Sequence, residues 1–278
     1  MPNEIAAKHE ALEEVLASLG SVLVCYSGGL DSTVLLTVAA HRLKSGCNAM
    51  TAVGPWVDAA ETEEARRYAT ELGVVHRVVS AGQMEDEAFV NNTTERCYHC
   101  KRRIFEVAQR LRDELGAIHI IDGTNVDDLR DYRPGRRAAK EAGVRGPFVE
   151  VGMGKGDVRE LARVLGLSGW DRPAFSCYAT RLPLGMRISE ERLRQVAAFE
   201  GELRARGWRV VRVRHHGDVA RIELGESEME GLMGFGAEER ARLVEVGRKL
   251  GFRYVAVDLA GYRMGSMNAA SDGEFGGT

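Results

Sequence analysis

The chain has 278 residues, 44% of them hydrophobic and 28% charged, with a formal net charge of -3. That length can bury a large core in one or two domains, and the acidic balance argues against a large nucleic-acid footprint, which needs a basic stripe. No apolar run approaches membrane-spanning length and no signal-peptide core opens the chain. Five cysteines, an odd number, sit in a chain too long to need disulfide staples, so the expectation is a reduced, cytoplasmic enzyme.

Glu4 to Leu19 carries Ile5, Leu12, Val15, Leu16 and Leu19 at helical spacing and reads as a lead-in helix. Then comes SVLVCYSGGLDSTVLL, Ser21 to Leu36. Val22 to Tyr26 reads as a buried parallel strand. Ser27-Gly28-Gly29 is a turn that uses glycine's freedom at positive φ, and Asp31 starts an apolar helix that runs to about Ser45-Gly46. A strand, a glycine turn and a helix N-terminus make an anion site, because free N–H groups and the helix dipole point at one spot. Ser27 and Ser32 add hydroxyls. Asp31 would repel a bare phosphate, and a divalent cation between the two, Mg²⁺ by usage, removes the conflict. The Walker A pattern is absent.

Ala49 to Gly54 reads as a second strand, Glu61 to Leu72 as a helix stopped by Gly73, and Val74 to Val79 as a third strand. The βαβαβ order predicts a doubly wound parallel sheet, with ligands at the carboxyl ends of its strands. Cys97 to Leu115 is expected as one helix and Ala117 to Ile121 as a fourth strand. That strand opens into the polar loop DGTNVDDLRDYRPG, Asp122 to Gly135; polar loops at strand ends more often carry function than core. Asp127 and Asp128 there complete a metal site or face water. A helix spans Gly154 to Leu165, with Lys155 near its start. Trp170 to Gly185 is irregular, broken by Pro173 and Pro183, and the domain boundary is placed at its end, separating 1–185 from 186–278. The second part reads as a small α+β domain. It has a helix from Ser189 to Arg206, strands at Trp208 to Arg214 and Val219 to Leu224, two helices, and a last strand from Tyr254 to Leu259. Ala270 to Thr278 is expected to be disordered.

Cys97-Tyr98-His99-Cys100 is a C-x-x-C at a helix start, where i and i+3 share a face and thiol pKa values fall. It could bind metal, form a redox disulfide, or do neither. Zinc would want a second ligand pair, and a thioredoxin-like motif would follow a strand. Cys177 lies beside Ser176 and near Arg172 and Arg181, whose charges favour thiolate. Cys25 and Cys47 read as small core residues. Three thiolates would leave one iron of a [4Fe–4S] cluster open to another ligand. In the basic strand Val211 and Val213 point one way and Arg212 and Arg214 the other, with Arg221 and Glu223 joining the polar face. Two arginines on one rigid face suit a phosphate or carboxylate dianion, and an ordinary solvated sheet face is the alternative.

The SGGLDS string resembles the PP-loop of ATP pyrophosphatases, which cleave ATP between the α and β phosphates and adenylate a carbonyl or carboxylate oxygen. Across most of its length the chain resembles the LarE family of that superfamily. The matching strings are YSGGLDS at Tyr26, NNTTERCYHCKRRIF at Asn91, DGTNVDDLRDYRPG at Asp122, WDRPAFSCYATRLPLG at Trp170, VRVRHHGDVARIE at Val211 and DLAGYRMGSMN at Asp258. The resemblance implies an ATP-dependent sulfurtransferase acting on a pyridinium-3,5-biscarboxylate mononucleotide, in the making of the nickel-pincer cofactor of lactate racemase. It implies ATP at Ser27, Gly28, Gly29, Ser32, Gly123, Thr124 and Asn125, and Mg²⁺ on Asp31. It implies substrate at Arg133, Thr180, Arg181, Arg212 and Arg214, and sulfur supplied through Cys177. Thr180 departs from a frequent serine and keeps the hydroxyl. Family members either sacrifice the sulfur of that cysteine or carry a [4Fe–4S] cluster on three cysteines. Cys97, Cys100 and Cys177 fit the cluster version, which is the favoured expectation. The resemblance also implies a homo-oligomer, often a hexamer.

Three other readings compete. A tRNA thiolase is disfavoured by the acidic balance. An ammonia-using synthetase of the same superfamily has no use for a nucleophilic Cys177. An ATP-sensing module would bind ATP and release no pyrophosphate.

Overall fold

The run Val22–Cys25 (β1) lies inside a four-stranded sheet, with Cys47–Val53 (β2) on one side and His119–Ile121 (β4) on the other; Val75–Ser80 (β3) forms the edge beyond β2. All pairs are parallel, with Val24 opposite Ala49 of β2 and Ile121 of β4, and Thr51 of β2 opposite Val78 of β3. Parallel strands need long crossovers, which helices supply. α1 (Asn3–Leu19) leads in, α2 (Leu30–Leu43) joins β1 to β2, and α3 (Ala59–Glu71) joins β2 to β3. The one-turn α4 (Glu87–Val90) and the long α5 (Arg96–Glu114) lie between β3 and β4, and α6 (Gly135–Glu141), α7 (Pro147–Glu150) and α8 (Lys155–Val164) follow. The structure, a computed structural model, describes residues 3–129, 134–170 and 176–263.

Alternation along β1 divides the core between the two sheet faces. Val22 and Val24 join Leu12, Leu16, Val34, Leu35 and Leu161 on one face, and Leu23 joins Met50, Ala108, Leu111 and Ile120 on the other. Burying each such leucine contributes about 1.5–3 kcal/mol. Because α2 and α5 cover opposite faces, the strand order reverses between β1 and β4, and ligands of open α/β sheets bind at such a switch point. The expected doubly wound α/β sheet is the one observed.

The chain divides into two units, Met1–Phe89 with Thr94–Phe175, and Val90–Thr93 with Ser176–Thr278. The second holds the strands β5 (Val211–His216), β6 (Val219–Leu224) and β7 (Tyr254–Val257), in that order, β5 antiparallel and β7 parallel to β6. Its helices are α9 (Glu190–Ala205), α10 (Glu226–Met233) and α11 (Ala237–Lys249). Ser189 caps α9, accepting from Arg192 N at 3.3 Å. The division falls before Cys177 rather than after Gly185, because Arg181 buries its guanidinium against Glu200 of α9.

Gly135–Glu141 is a helix that begins where the expected polar loop ends, in a stretch given no element from the sequence; only Ala138 of it is buried, so it carries no apolar stripe for periodicity to show. The Arg212/Arg214 face is not solvated: Arg212 and Arg214 are 5% exposed and Glu223 0%. The disorder expected of Ala270 to Thr278 lies outside the described residues.

Candidate active site

The first cluster stands at the carboxyl ends of β1 and β4. Gly29 is the N-cap residue of α2. Gly28 has φ +80, and a Cβ there would lie 3.2 Å from Ala65 Cβ and 3.5 Å from Glu61 O. The Ser32 hydroxyl donates to Gly29 O at 2.9 Å and accepts from Ser27 N at 3.2 Å, and Gly29 N donates to Ser27 Oγ at 3.3 Å. Ser32 is buried and braces the turn, while Ser27 is exposed. Gly28→Ala forces an L-residue into left-handed backbone at about 1–2 kcal/mol. We expect ATP affinity to fall about tenfold, read by isothermal titration of the intact protein.

Asp31 stands on the first turn of α2, and its Oδ2 accepts from Asn125 Nδ2 at 3.0 Å. Asn125 is fully buried, and its Oδ1 accepts from the amides of Asp127 and Asp128 at 3.1 and 3.2 Å. One amide side chain thus ties the loop after β4 to the helix after β1. Gly123 makes the close approach possible, since a Cβ there would sit 2.9 Å from Ser32 N. Thr124 N donates to Asp122 Oδ1 at 3.1 Å. The Asp31 carboxylate is a hard oxygen donor at the N-terminus of α2, and that donor chemistry fits Mg²⁺ and a polyphosphate. Asp127 and Asp128 brace the loop through Lys155. Asp127 accepts from Lys155 N at 2.7 Å, and buried Asp128 pairs with Lys155 Nζ at 3.1 Å.

A residue that sequence reasoning passed over supports the same turn. Tyr26 O, where the chain leaves β1, accepts from Thr51 Oγ1 at 2.7 Å, and Thr51 Oγ1 meets His76 Nε2 at 2.8 Å. Since the Thr51 proton goes to Tyr26, His76 must donate through Nε2, which fixes its tautomer. Burial, with Arg66 adding to it, lowers the His76 pKa and keeps the ring neutral. The register of β2 against β3 is the only signal that leads there.

Of the cysteines, Cys47 is buried, and burial pushes its thiol up to about 12. Cys25 is pushed up to about 12 as well, by burial, with Lys101 opposing and Asp122 adding. Both are held as unreactive thiols. Cys97 is exposed and Cys100 half-buried near the start of α5, on one helix face as two ligands of one centre must be. Cys100 Sγ accepts from Gln83 Nε2 at 3.8 Å. As a donor set, two thiols at a helix start fit two corners of an iron–sulfur cluster. Among the described residues no group of three or more His, Cys, Asp or Glu is gathered that could hold a metal ion.

The second cluster lies within the second unit and is built around Cys177. Cys177 precedes a single 3₁₀ turn, Tyr178–Arg181. Its carbonyl accepts from Thr180 N at 2.9 Å and Thr180 Oγ1 at 2.8 Å. The fully buried Arg181 donates to Ser176 Oγ at 2.6 Å, to Thr180 Oγ1 at 2.8 Å and to Glu200 at 2.6 and 3.1 Å. Arg214 donates to Thr180 O at 3.1 Å and to Glu223 Oε2 at 2.6 and 3.0 Å. Arg212 donates to Val211 O and lies 5.0 Å over the Tyr262 ring. Burial, then the neighbouring Arg181 guanidinium, pulls the Arg212 pKa down, so an added dianion here would meet a cationic site already desolvated. Glu200 and Glu223 are both fully buried; the sequence reading placed Glu223 on the polar face with the arginines and left Glu200 unassigned. Glu200→Gln breaks an ion pair with both partners buried, which costs about 3–5 kcal/mol; urea unfolding should show the lower midpoint.

The structure therefore brings Cys177, Thr180, Arg181, Arg212 and Arg214 into one cluster. Ser27, Gly28, Gly29, Asp31, Ser32, Gly123, Thr124 and Asn125 form the other. Arg133 and Arg172 lie outside the described residues.

The asparagine synthase family model matches residues 9–110. An uncharacterized protein of Synechocystis sp. is 39% identical over 95% of this chain and 98% of its own length. The pyridinium-3,5-bisthiocarboxylic acid mononucleotide synthase of Lactiplantibacillus plantarum is 35% identical over 95% of each chain. A "Probable tRNA sulfurtransferase" of Methanobrevibacter smithii is 26% identical over 54% of this chain and 42% of its own. No helix among the described residues is long and apolar enough to cross a membrane.

Proposed function

The chain belongs to the LarE family of the PP-loop superfamily, and from that premise we propose that it converts pyridinium-3,5-biscarboxylic acid mononucleotide to its thiocarboxylate. ATP would sit with its phosphates at the Ser27–Ser32 turn and the loop of Gly123, Thr124 and Asn125. Mg²⁺ on Asp31 supplies positive charge to the phosphates. A substrate carboxylate oxygen attacks the α-phosphorus, the bond to the β-phosphate oxygen breaks, and pyrophosphate leaves. The Cys177 thiolate then attacks the acyl carbon and AMP departs with the electron pair of the acyl–oxygen bond. An activated leaving group and a strong nucleophile divide one difficult substitution into two easier steps.

Cleavage of the Cys177 Cβ–S bond, with loss of the α-proton, would leave thiocarboxylate on the product and dehydroalanine in the chain. In the favoured version Cys97, Cys100 and Cys177 would hold a [4Fe–4S] cluster, which would supply the sulfide that is transferred. Anaerobic purification should then give a brown protein; a colourless protein that loses one sulfur's mass per turnover marks the sacrificial route. Arg181, Arg212 and Arg214, with Thr180 and Arg133, take the mononucleotide phosphate and carboxylates. A homo-oligomer, of hexamer size in the family expectation, and a cytoplasmic setting complete the reading.

The observation that supports this most is Thr180. Its hydroxyl holds the Cys177 carbonyl and its own carbonyl holds Arg214, so the expected sulfur carrier and the expected phosphate arginine share one bonded cluster. A pyrophosphate-release assay tests the reading: release should depend on the pyridinium biscarboxylate mononucleotide, and release without it counts against it. The likeness to a tRNA sulfurtransferase supports a second reading, tRNA thiolation, which filter binding with tRNA would reveal.

A further inference from the structure

Four residues from the stretch between α4 and α5, Val90–Thr93, belong to the second unit. Asn92 among them is fully buried at φ +54, a left-handed conformation that asparagine tolerates better than most residues with a side chain. Its Nδ2 donates towards Pro183 O at 2.8 Å, Met186 O at 3.0 Å and Leu182 O at 3.4 Å. Gly185 N returns a bond to Asn92 O at 3.0 Å, and Ile188 N bonds Val90 O at 2.8 Å. Leu182 is the residue that closes the Tyr178–Arg181 turn, and Cys177 is the residue that opens it. The turn is thus gripped at both ends, by the Arg181 guanidinium on Ser176 and by the Asn92 amide on the carbonyls from Leu182 onward.

We propose that Asn92 is a positioning residue for sulfur transfer, holding still the turn from which the Cys177 thiolate attacks. The proposal rests on the functional reading above, on its route in which the Cys177 sulfur is the one transferred. In the step it serves, the Cys177 sulfur forms a bond to the acyl carbon and the acyl–oxygen bond to AMP breaks, the oxygen keeping the electron pair. A fixed backbone matters because small misplacement of a nucleophile is costly in rate.

Two variants test it. Asn92→Gly keeps the left-handed backbone and removes only the amide, and Asn92→Asp keeps the shape and turns the donors into oxygens facing three carbonyls. Each is scored in a single turnover, by the ratio of the rate of thiocarboxylate formation to the rate of the pyrophosphate burst, and by the rate at which iodoacetamide labels Cys177. With bonds of about 1 kcal/mol each removed, the ratio should fall about tenfold or more, and Cys177 labelling should change severalfold, while pyrophosphate release stays close to that of the parent. A ratio and labelling rate that do not move overturn the proposal, as does an equal loss of both products, which would mark a role in folding alone. If the parent makes no thiocarboxylate, the functional reading fails; an unchanged labelling rate in the variants would still overturn the clamp, and a changed one would uphold it.

Discussion

Cys177→Ala is expected to abolish thiocarboxylate formation, by about 10³-fold or more, while pyrophosphate still appears as a burst of about one per active site and then stops. The reasoning follows from the division of labour between the two clusters. In the proposed reaction adenylation uses the glycine turn and Asp31, and sulfur transfer uses Cys177. The acyl adenylate then waits for a nucleophile that alanine cannot supply. Thr180 and Arg181 hold the turn by the Cys177 carbonyl and by Ser176, and since these bonds do not use the thiol, truncating it should leave them standing. Quenched-flow measurement of pyrophosphate, with mass spectrometry of the pyridinium product, checks both halves. Continued thiocarboxylate production by the variant would move the sulfur to another cysteine.

Asp31→Asn should lower pyrophosphate formation by about 10²–10³-fold, because it removes the anionic oxygen that would hold the metal, a term of several kcal/mol in phosphoryl chemistry. Asparagine preserves the size of the side chain and can still accept from Asn125 Nδ2 through its amide oxygen. The bond that ties the two loops together at 3.0 Å thus has a chemical substitute, and loss of activity would report charge rather than collapse. Raising the Mg²⁺ concentration should recover part of the rate. A loss that Mg²⁺ leaves untouched, with the thermal midpoint unchanged, would assign Asp31 to something other than metal binding.

Much of the first cluster was legible because its logic is local. An apolar run, two glycines and a helix that follows them at once predict the turn, and Gly28 at φ +80 is the physical reason glycine is written there. The contact between that turn and the loop after β4 was only implied, since nothing in the spacing of Asp31 and Asn125 says that one amide will join them. For the second cluster, alternation correctly placed Arg212 and Arg214 on one face but could not tell a solvated face from a buried one. What buries it arrives from distant parts of the chain, Thr180 and Glu200 before it and Tyr262 after it. Asn92 and His76 escaped for the same reason, as each acts through partners far along the sequence. Gly135–Glu141 escaped for the opposite one, a helix too short and too polar to print a period.

The most direct test of the account uses substrate labelled with ¹⁸O in its carboxylates. If the carboxylate attacks the α-phosphorus of ATP at the early glycine turn and sulfur later displaces that same oxygen, the AMP released with each thiocarboxylate carries the label. Unlabelled AMP, or ADP and phosphate in its place, would contradict the assignment.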